Sequence, residues 1–200
     1  MPPLIYTNPV ATFIFIVACL IWLLPEMIGM YRQMAIVSRK SAVVQDRGSL
    51  VILIGLQWVG IVLNFLLALL FTSATIPWHR TAIFLLGIIF MMLGVALRWF
   101  AIWKLGRYFT RDVAVSSHQE VVQSGPYHFI RHPAYTGTFL TMLGLGLAMT
   151  NWASLIALLL CVFLGHFNRV KIEEEALIHN IGQPYIEYMQ HTKRFIPLVF

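Results

Sequence analysis

The sequence predicts an all-α, polytopic membrane protein of about five transmembrane helices, the last two forming a late helical hairpin, and three observations predict it. Of its 200 residues, 59% are hydrophobic and only 11% charged, against roughly 45–50% and about 25% in soluble domains. The apolar residues fall in runs separated by short polar links, near the length of about 20 residues that a hydrocarbon core of about 30 Å requires. Lysine and arginine concentrate in alternate links, as expected when those links share the cytoplasmic side.

The first span is expected over about residues 11–30. Pro25 should kink it, and the Glu26 carboxylate near its end must find water or a partner. The residues ahead of it lack the basic stretch of a signal peptide, so this run reads as a retained helix. A polar link over residues 31–49 leads to a second span over about 50–71, and a turn over 72–80 leads to a third over about 81–103. Residues 104–135 form the longest non-apolar stretch, and Gly125-Pro126 and His132-Pro133 mark it as ordered loop or short strands. Two shorter runs, 136–150 and 152–167, hinge at Asn151 as a tight hairpin, the second continuing as a polar helix through about Asn180. The chain thus divides into a three-span membrane region, 1–104, and a C-terminal region, 105–200. Cys19 and Cys161 lie inside apolar runs and read as packing residues.

With five spans, three groups of basic residues share one side: Arg32, Arg39, Lys40 and Arg47; Lys104, Arg107, Arg111 and Arg131; and Arg169, Lys171, Lys193 and Arg194. The opposite side keeps only Arg80, which puts the N-terminus outside and the C-terminus in the cytoplasm. The formal charge of +6 then describes an inner face drawn to membrane lipids with anionic headgroups, and nucleic acid is not an expected partner. The polar residues within spans are mainly Glu26, Gln57 and Asn64, sparse for a transport pathway or a non-enzymatic assembly factor.

Two polar clusters carry the chemistry. Residues 125–137 combine a rigid Gly-Pro turn, the rings of Tyr127, His132 and Tyr135, and Arg131. They read either as a ligand site or as an interfacial aromatic belt. His128 and His132 are four apart, but no Glu accompanies them and Pro133 follows directly, so no metal is expected. The second cluster, Arg169 with Glu173-Glu174-Glu175, puts Arg169 and Glu173 on one helix face, where they can pair or jointly grip a zwitterion. If the last span brings Arg169 to the membrane face of Tyr127 and His132, the clusters converge on one mouth.

The ordered set Gly125-Pro126-Tyr127, Arg131-His132-Pro133, Tyr135 and Gly137, then Arg169, Glu173-Glu174, Leu177, Gly182, Tyr185, Tyr188 and Pro197, resembles the isoprenylcysteine carboxyl methyltransferase family and its phospholipid methyltransferase relatives. The likeness covers about residues 105–197; the first three spans match only in being apolar. It implies an integral membrane methyltransferase holding S-adenosyl-L-methionine in a cytoplasmic pocket between the loop before the hairpin and the helix after it. It further implies cofactor contacts from Gln119, Glu120, Val121, Val122, Tyr127, His132 and Glu173. Gln119 stands where the family usually has histidine, with His118 one residue earlier, and Ile181 replaces a usual phenylalanine. Arg169 would bind substrate and, with Glu173, serve catalysis.

The implied substrate is lipophilic or lipidated, with an isoprenylcysteine carboxylate favoured by the likeness alone. A carboxylate is already ionised at neutral pH and needs only Arg169 to orient it. A phospholipid amine or small thiol would need a base, for which Glu173 or Glu174 is placed. The rival enzyme class is the membrane sterol reductases with a nicotinamide cofactor, against which the Arg-x-x-x-Glu-Glu spacing and Arg-His-Pro argue. The sequence sets no oligomeric state.

Overall fold

The computed structural model describes residues 1–37, 46, 48–110 and 120–195, with side chains omitted for residues 30–37. Among these residues seven α-helices run in the order α1 (Leu4–Thr7), α2 (Pro9–Val37), α3 (Ser49–Leu70), α4 (Arg80–Leu105), α5 (Pro133–Ala148), α6 (Trp152–Ile181) and α7 (Gln183–His191). Four of them carry segments long and apolar enough to cross a membrane: Pro9–Gly29, Ser49–Leu70, Arg80–Tyr108 and Trp152–Ile181. Helix α5, at 16 residues, is shorter than these.

The connections sort the two ends of the bundle. Thr75, after α3, bridges to Asn151 between α5 and α6, and Ile76 N donates to Thr150 O at 2.9 Å. The same end receives the N-terminus, since Thr75 Oγ1 donates to Met1 O at 2.8 Å and Arg80 bonds Pro2 O. At the other end Arg131 N donates to Lys193 O at 2.7 Å and His132 N to Arg194 O at 3.1 Å, lacing the segment before α5 to the one after α7. Helix α5 therefore joins the two ends, and the N-terminus and residue 195 lie at opposite ones.

Helix packing explains why α5 can be short. It lies between α4 and α6, and its contact with α4 is the most extensive in the fold, followed by α3 on α6. Glycines make the α4–α5 seam: a Cβ on Gly87 would lie 2.7 Å from Gly144 O, and one on Gly137 would lie 2.7 Å from Gly94 O. Backbone meets backbone there, which suits a membrane interior where lipid offers no hydrophobic drive between helices. Gly146 closes on Leu155 of α6 in the same way. At the hinge Asn151 caps α6, its Oδ1 accepting from Ser154 N at 3.1 Å while Nδ2 donates to Phe71 O at 2.8 Å.

Several expected boundaries move. Helix α2 runs through Pro25 to Val37, so the link begins later than residue 31. Among the described residues, 104–135 hold two single 3-10 turns, Gly106–Tyr108 and Gly125–His128, and no strand beyond an isolated bridge of Ile130 to Lys193. The polar continuation of the last span is one unbroken helix, α6, ending where Gly182 adopts φ +72° and turns the chain into α7. Cys19 and Cys161 are free and half-buried.

Candidate functional site

A cavity of about 310 Å³ opens at the end where residues 131 and 193 meet. Helices α2 to α7 and the segments flanking residues 111–119 all contribute to its wall. Its membrane side is apolar, with Trp22, Leu23 and Met27 from α2 and Leu53, Ile54 and Trp58 from α3. Its other side carries Glu120, Val121, Val122, Tyr127, Tyr185 and Tyr188.

The two polar clusters do converge. Tyr127, His132, Arg169 and Glu173 all line this one cavity, as do Glu120, Val121 and Val122, whereas Gln119 lies outside the described residues, together with His118. His132 and Arg169 are buried, at 5% and 2% exposure, while His128 is on the surface. Among the described residues no group of three His, Cys, Asp or Glu side chains could hold a metal ion.

The spacing of Arg169 and Glu173 is used through an intermediary. Tyr135 Oη donates to Glu173 Oε2 at 2.7 Å and accepts from Arg169 Nε at 3.4 Å, and its ring stacks on His132 with centroids 5.6 Å apart. His166, one turn before Arg169, presents its ring edge to Tyr135 at 5.1 Å. Arg169 also donates to Ser49 Oγ at 2.6 Å and pairs with Asp46. Asp46 in turn accepts from Ser49 Oγ at 2.9 Å and Leu50 N at 3.1 Å, so the start of α3 holds the arginine in place. Asp46 was invisible as a site residue in the sequence. Its one signal is an Asp three residues before a Ser that opens an apolar run, the pattern of a helix start.

Glu174, an alternative base on sequence grounds, has another task. It is 3% exposed, and it accepts from Arg131 Nε at 3.0 Å, from Arg194 Nη2 at 2.7 Å and lies 3.3 Å from His132 Nε2. Arg131 also reaches Met189 O at 3.1 Å and Thr192 O. This clasp fastens the segment around residue 194 to the base of α5 and leaves Glu174 enclosed by cations. Adjacent residues on a helix point about 100° apart, which sends Glu173 to the cavity and Glu174 into the clasp.

On the membrane side Glu26 finds its partner in Arg98 of α4, at 2.5 Å and 3.3 Å, and both line the cavity. Arg98 also donates to Thr138 Oγ1 at 3.2 Å. Outside the spans, burial keeps the phenols of Tyr127 and Tyr185 well above the ordinary tyrosine value and lifts that of Tyr188 to about 12. These hydroxyls are neutral donors at physiological pH.

The comparisons with known proteins fall on this region. Residues 86–179 match the family model of the isoprenylcysteine carboxyl methyltransferase family. Protein-S-isoprenylcysteine O-methyltransferase B of Arabidopsis thaliana is 32% identical over 115 residues, 56% of this chain and 58% of that protein. The Schizosaccharomyces pombe protein-S-isoprenylcysteine O-methyltransferase is 30% identical over 55% of this chain and 48% of its own length, and the human one 29% over 64% and 48%. The chain spans about half the length of these relatives. The solved structure of the eukaryotic intramembrane Ras methyltransferase ICMT superposes with a TM-score of 0.65 at 26% identity, covering 98% of this chain and 70% of that one.

Proposed function

We propose, since residues 86–179 match the isoprenylcysteine carboxyl methyltransferase family model and the fold resembles a solved member of it, that the chain is an S-adenosylmethionine-dependent enzyme methylating the carboxylate of a membrane-borne, isoprenylcysteine-like acceptor. The observation that supports this best is the Arg169–Tyr135–Glu173 chain, set in a cavity whose membrane wall is apolar.

The residues present fit the donor. Glu173, with 31% of its side chain accessible, offers a carboxylate to a sulfonium or ammonium. Tyr127, Val121 and Val122 give an apolar wall for a nucleoside, and the buried Tyr185 hydroxyl has no partner among the described residues. Glu120, Val121, Val122, Tyr127, His132 and Glu173 would hold it, with Gln119 as an expected further contact. When bound, it supplies an electrophilic methyl group on a sulfonium sulfur.

The remaining work is positioning, which is what an in-line displacement needs most. Arg169, held by Asp46, Ser49 and Tyr135, would orient the acceptor carboxylate by its positive charge. Tyr135 keeps Glu173 and Arg169 in fixed relation, and Trp22, Leu53 and Ile54 exclude water from the membrane side. No general base is required for a carboxylate. The division at residue 104 is then one of labour: residues 1–104 supply the apolar wall together with Asp46 and Arg98, and residues 105–200 the cofactor side. We place the mouth on the cytoplasmic face, because Lys104, Arg107, Arg131, Arg169, Lys193 and Arg194 lie toward its end of the bundle, with Arg80 at the other among the described residues.

The test is transfer of labelled methyl from S-adenosylmethionine to a panel holding a farnesylcysteine, a phospholipid amine and a small thiol. Alkali-labile label on the farnesylcysteine is the expected result. Label confined to an amine or thiol would refute the acceptor, and thermal stabilisation by NADPH but not S-adenosylhomocysteine would refute the enzyme class. Cysteine labelling from either side of the membrane near residues 80 and 193 tests the orientation.

A further inference from the structure

Helix α7 carries two tyrosines one turn apart, Tyr185 and Tyr188, on the face turned to the cavity. Their rings lie 5.9 Å apart, and both are buried, at 4% and 6% exposure. Their hydroxyls are used differently. Tyr188 Oη donates to Tyr127 O at 2.6 Å and so ties α7 to the turn before α5. Tyr185 Oη is enclosed and makes no hydrogen bond among the described residues.

A buried hydroxyl without a partner is unfavourable, and phenylalanine would fill the same space without that penalty. The position is also fixed. Tyr185 N donates to Gly182 O at 3.1 Å in the turn from α6, and Pro184 stiffens the first turn of α7. The ionisable groups whose field reaches the hydroxyl include Glu173, Glu174 and Arg131, of which Glu174 and Arg131 are engaged in the clasp. Helix α7 lies outside the membrane-spanning segments, on elements distinct from the apolar α2 and α3 wall suited to a lipid tail. The ligand reaching Tyr185 is thus the polar one.

We propose that Tyr185 is a cofactor-contact residue whose hydroxyl is completed by a hydrogen bond to the bound methyl donor, and this rests on the methyltransferase reading above. The full-length protein in detergent or nanodiscs is titrated with S-adenosylhomocysteine by calorimetry, as wild type, Tyr185→Phe and Tyr188→Phe. Losing one neutral hydrogen bond should weaken Tyr185→Phe binding about three- to tenfold. Its ligand-free melting temperature should stay equal or rise, because an orphan oxygen has been removed. Tyr188→Phe should instead melt lower, having lost an internal bond. The KM for a farnesylcysteine at saturating cofactor should not move in Tyr185→Phe. Unchanged homocysteine-ligand affinity, a lowered ligand-free melting temperature, or a change confined to the acceptor KM would each overturn the assignment. Failure of the wild type itself to bind S-adenosylhomocysteine would defeat the methyltransferase reading, and this inference with it.

Discussion

The α4–α5 seam and the α2 wall bound the same cavity, yet they are held by opposite means. In the seam, Gly87 and Gly94 meet Gly144 and Gly137 with no side chain between them. The wall formed by α2 leans on the bundle through rings such as Phe15 against Phe65, 6.2 Å apart, and through one ion pair, Glu26 to Arg98. Much of the rest of α2, including Phe13, Ile16, Leu20 and Leu24, faces outward. On the proposed function, rigid contact is placed where polar groups are aligned, and separable contact where the apolar chain of an acceptor would pass.

Substitution at the seam should have the largest effect. Gly94→Leu drives a side chain into the α5 backbone at Gly137 and Thr141, and should abolish monodisperse, folded protein on gel filtration. Gly55→Leu on α3, where nothing lies within 4 Å, should leave the elution profile intact. Equal tolerance of both would refute the contrast.

Next in size are the residues the seam positions. Arg169→Ala should lower kcat/KM about 10²–10³-fold with S-adenosylhomocysteine affinity nearly unchanged, and Arg169→Lys should recover little, lacking the planar fork. Full turnover in Arg169→Ala would end its substrate-orienting role. The two adjacent carboxylates should separate cleanly: Glu174→Gln should destabilise the fold by about 3 kcal/mol by stranding the buried Arg131, whereas Glu173→Gln should lose cofactor affinity without lowering the melting temperature.

The wall should respond least. Glu26→Gln weakens one interhelical contact, for which about 0.6 kcal/mol is typical within membranes. Its signature should be an altered acceptor KM with cofactor affinity unchanged; a change in the cofactor alone would put Glu26 on the wrong side of the site. A last, gradual effect belongs to pH. Burial raises Tyr127, Tyr185 and Tyr188 above their unfolded value, so their neutral forms stabilise the fold fully below about pH 10. That contribution is lost as pH climbs toward and past the raised values, and a melting temperature flat between pH 9 and 12 would contradict it.

Much of this arrangement is legible in the chain. Apolar runs give the long helices, Asn151 gives the hinge, and the four-residue step from Arg169 to Glu173 gives the helix face that meets the cavity. The end of α2 is less legible, because residues 31–37 mix polar and apolar types that a helix accommodates as readily as a link does. Pairings across helices are not legible at all. Nothing in the order of residues says that Glu26 meets Arg98, that Asp46 meets Arg169, or that Arg131 and Arg194 enclose Glu174. Those depend on relative helix rotation, which a one-dimensional pattern does not carry.

The lacing of Phe129, Arg131 and His132 to Lys193 and Arg194 has a consequence for biogenesis. The four long apolar helices leave the ribosome before residues 193 and 194, which lace this end of the bundle. Insertion into the bilayer can therefore finish while the pocket is still open on one side, and the pocket acquires its final shape only when the segment past α7 folds back onto the start of α5. A nascent chain halted at residue 190 should hold its four long apolar helices inserted with this pocket still unlaced.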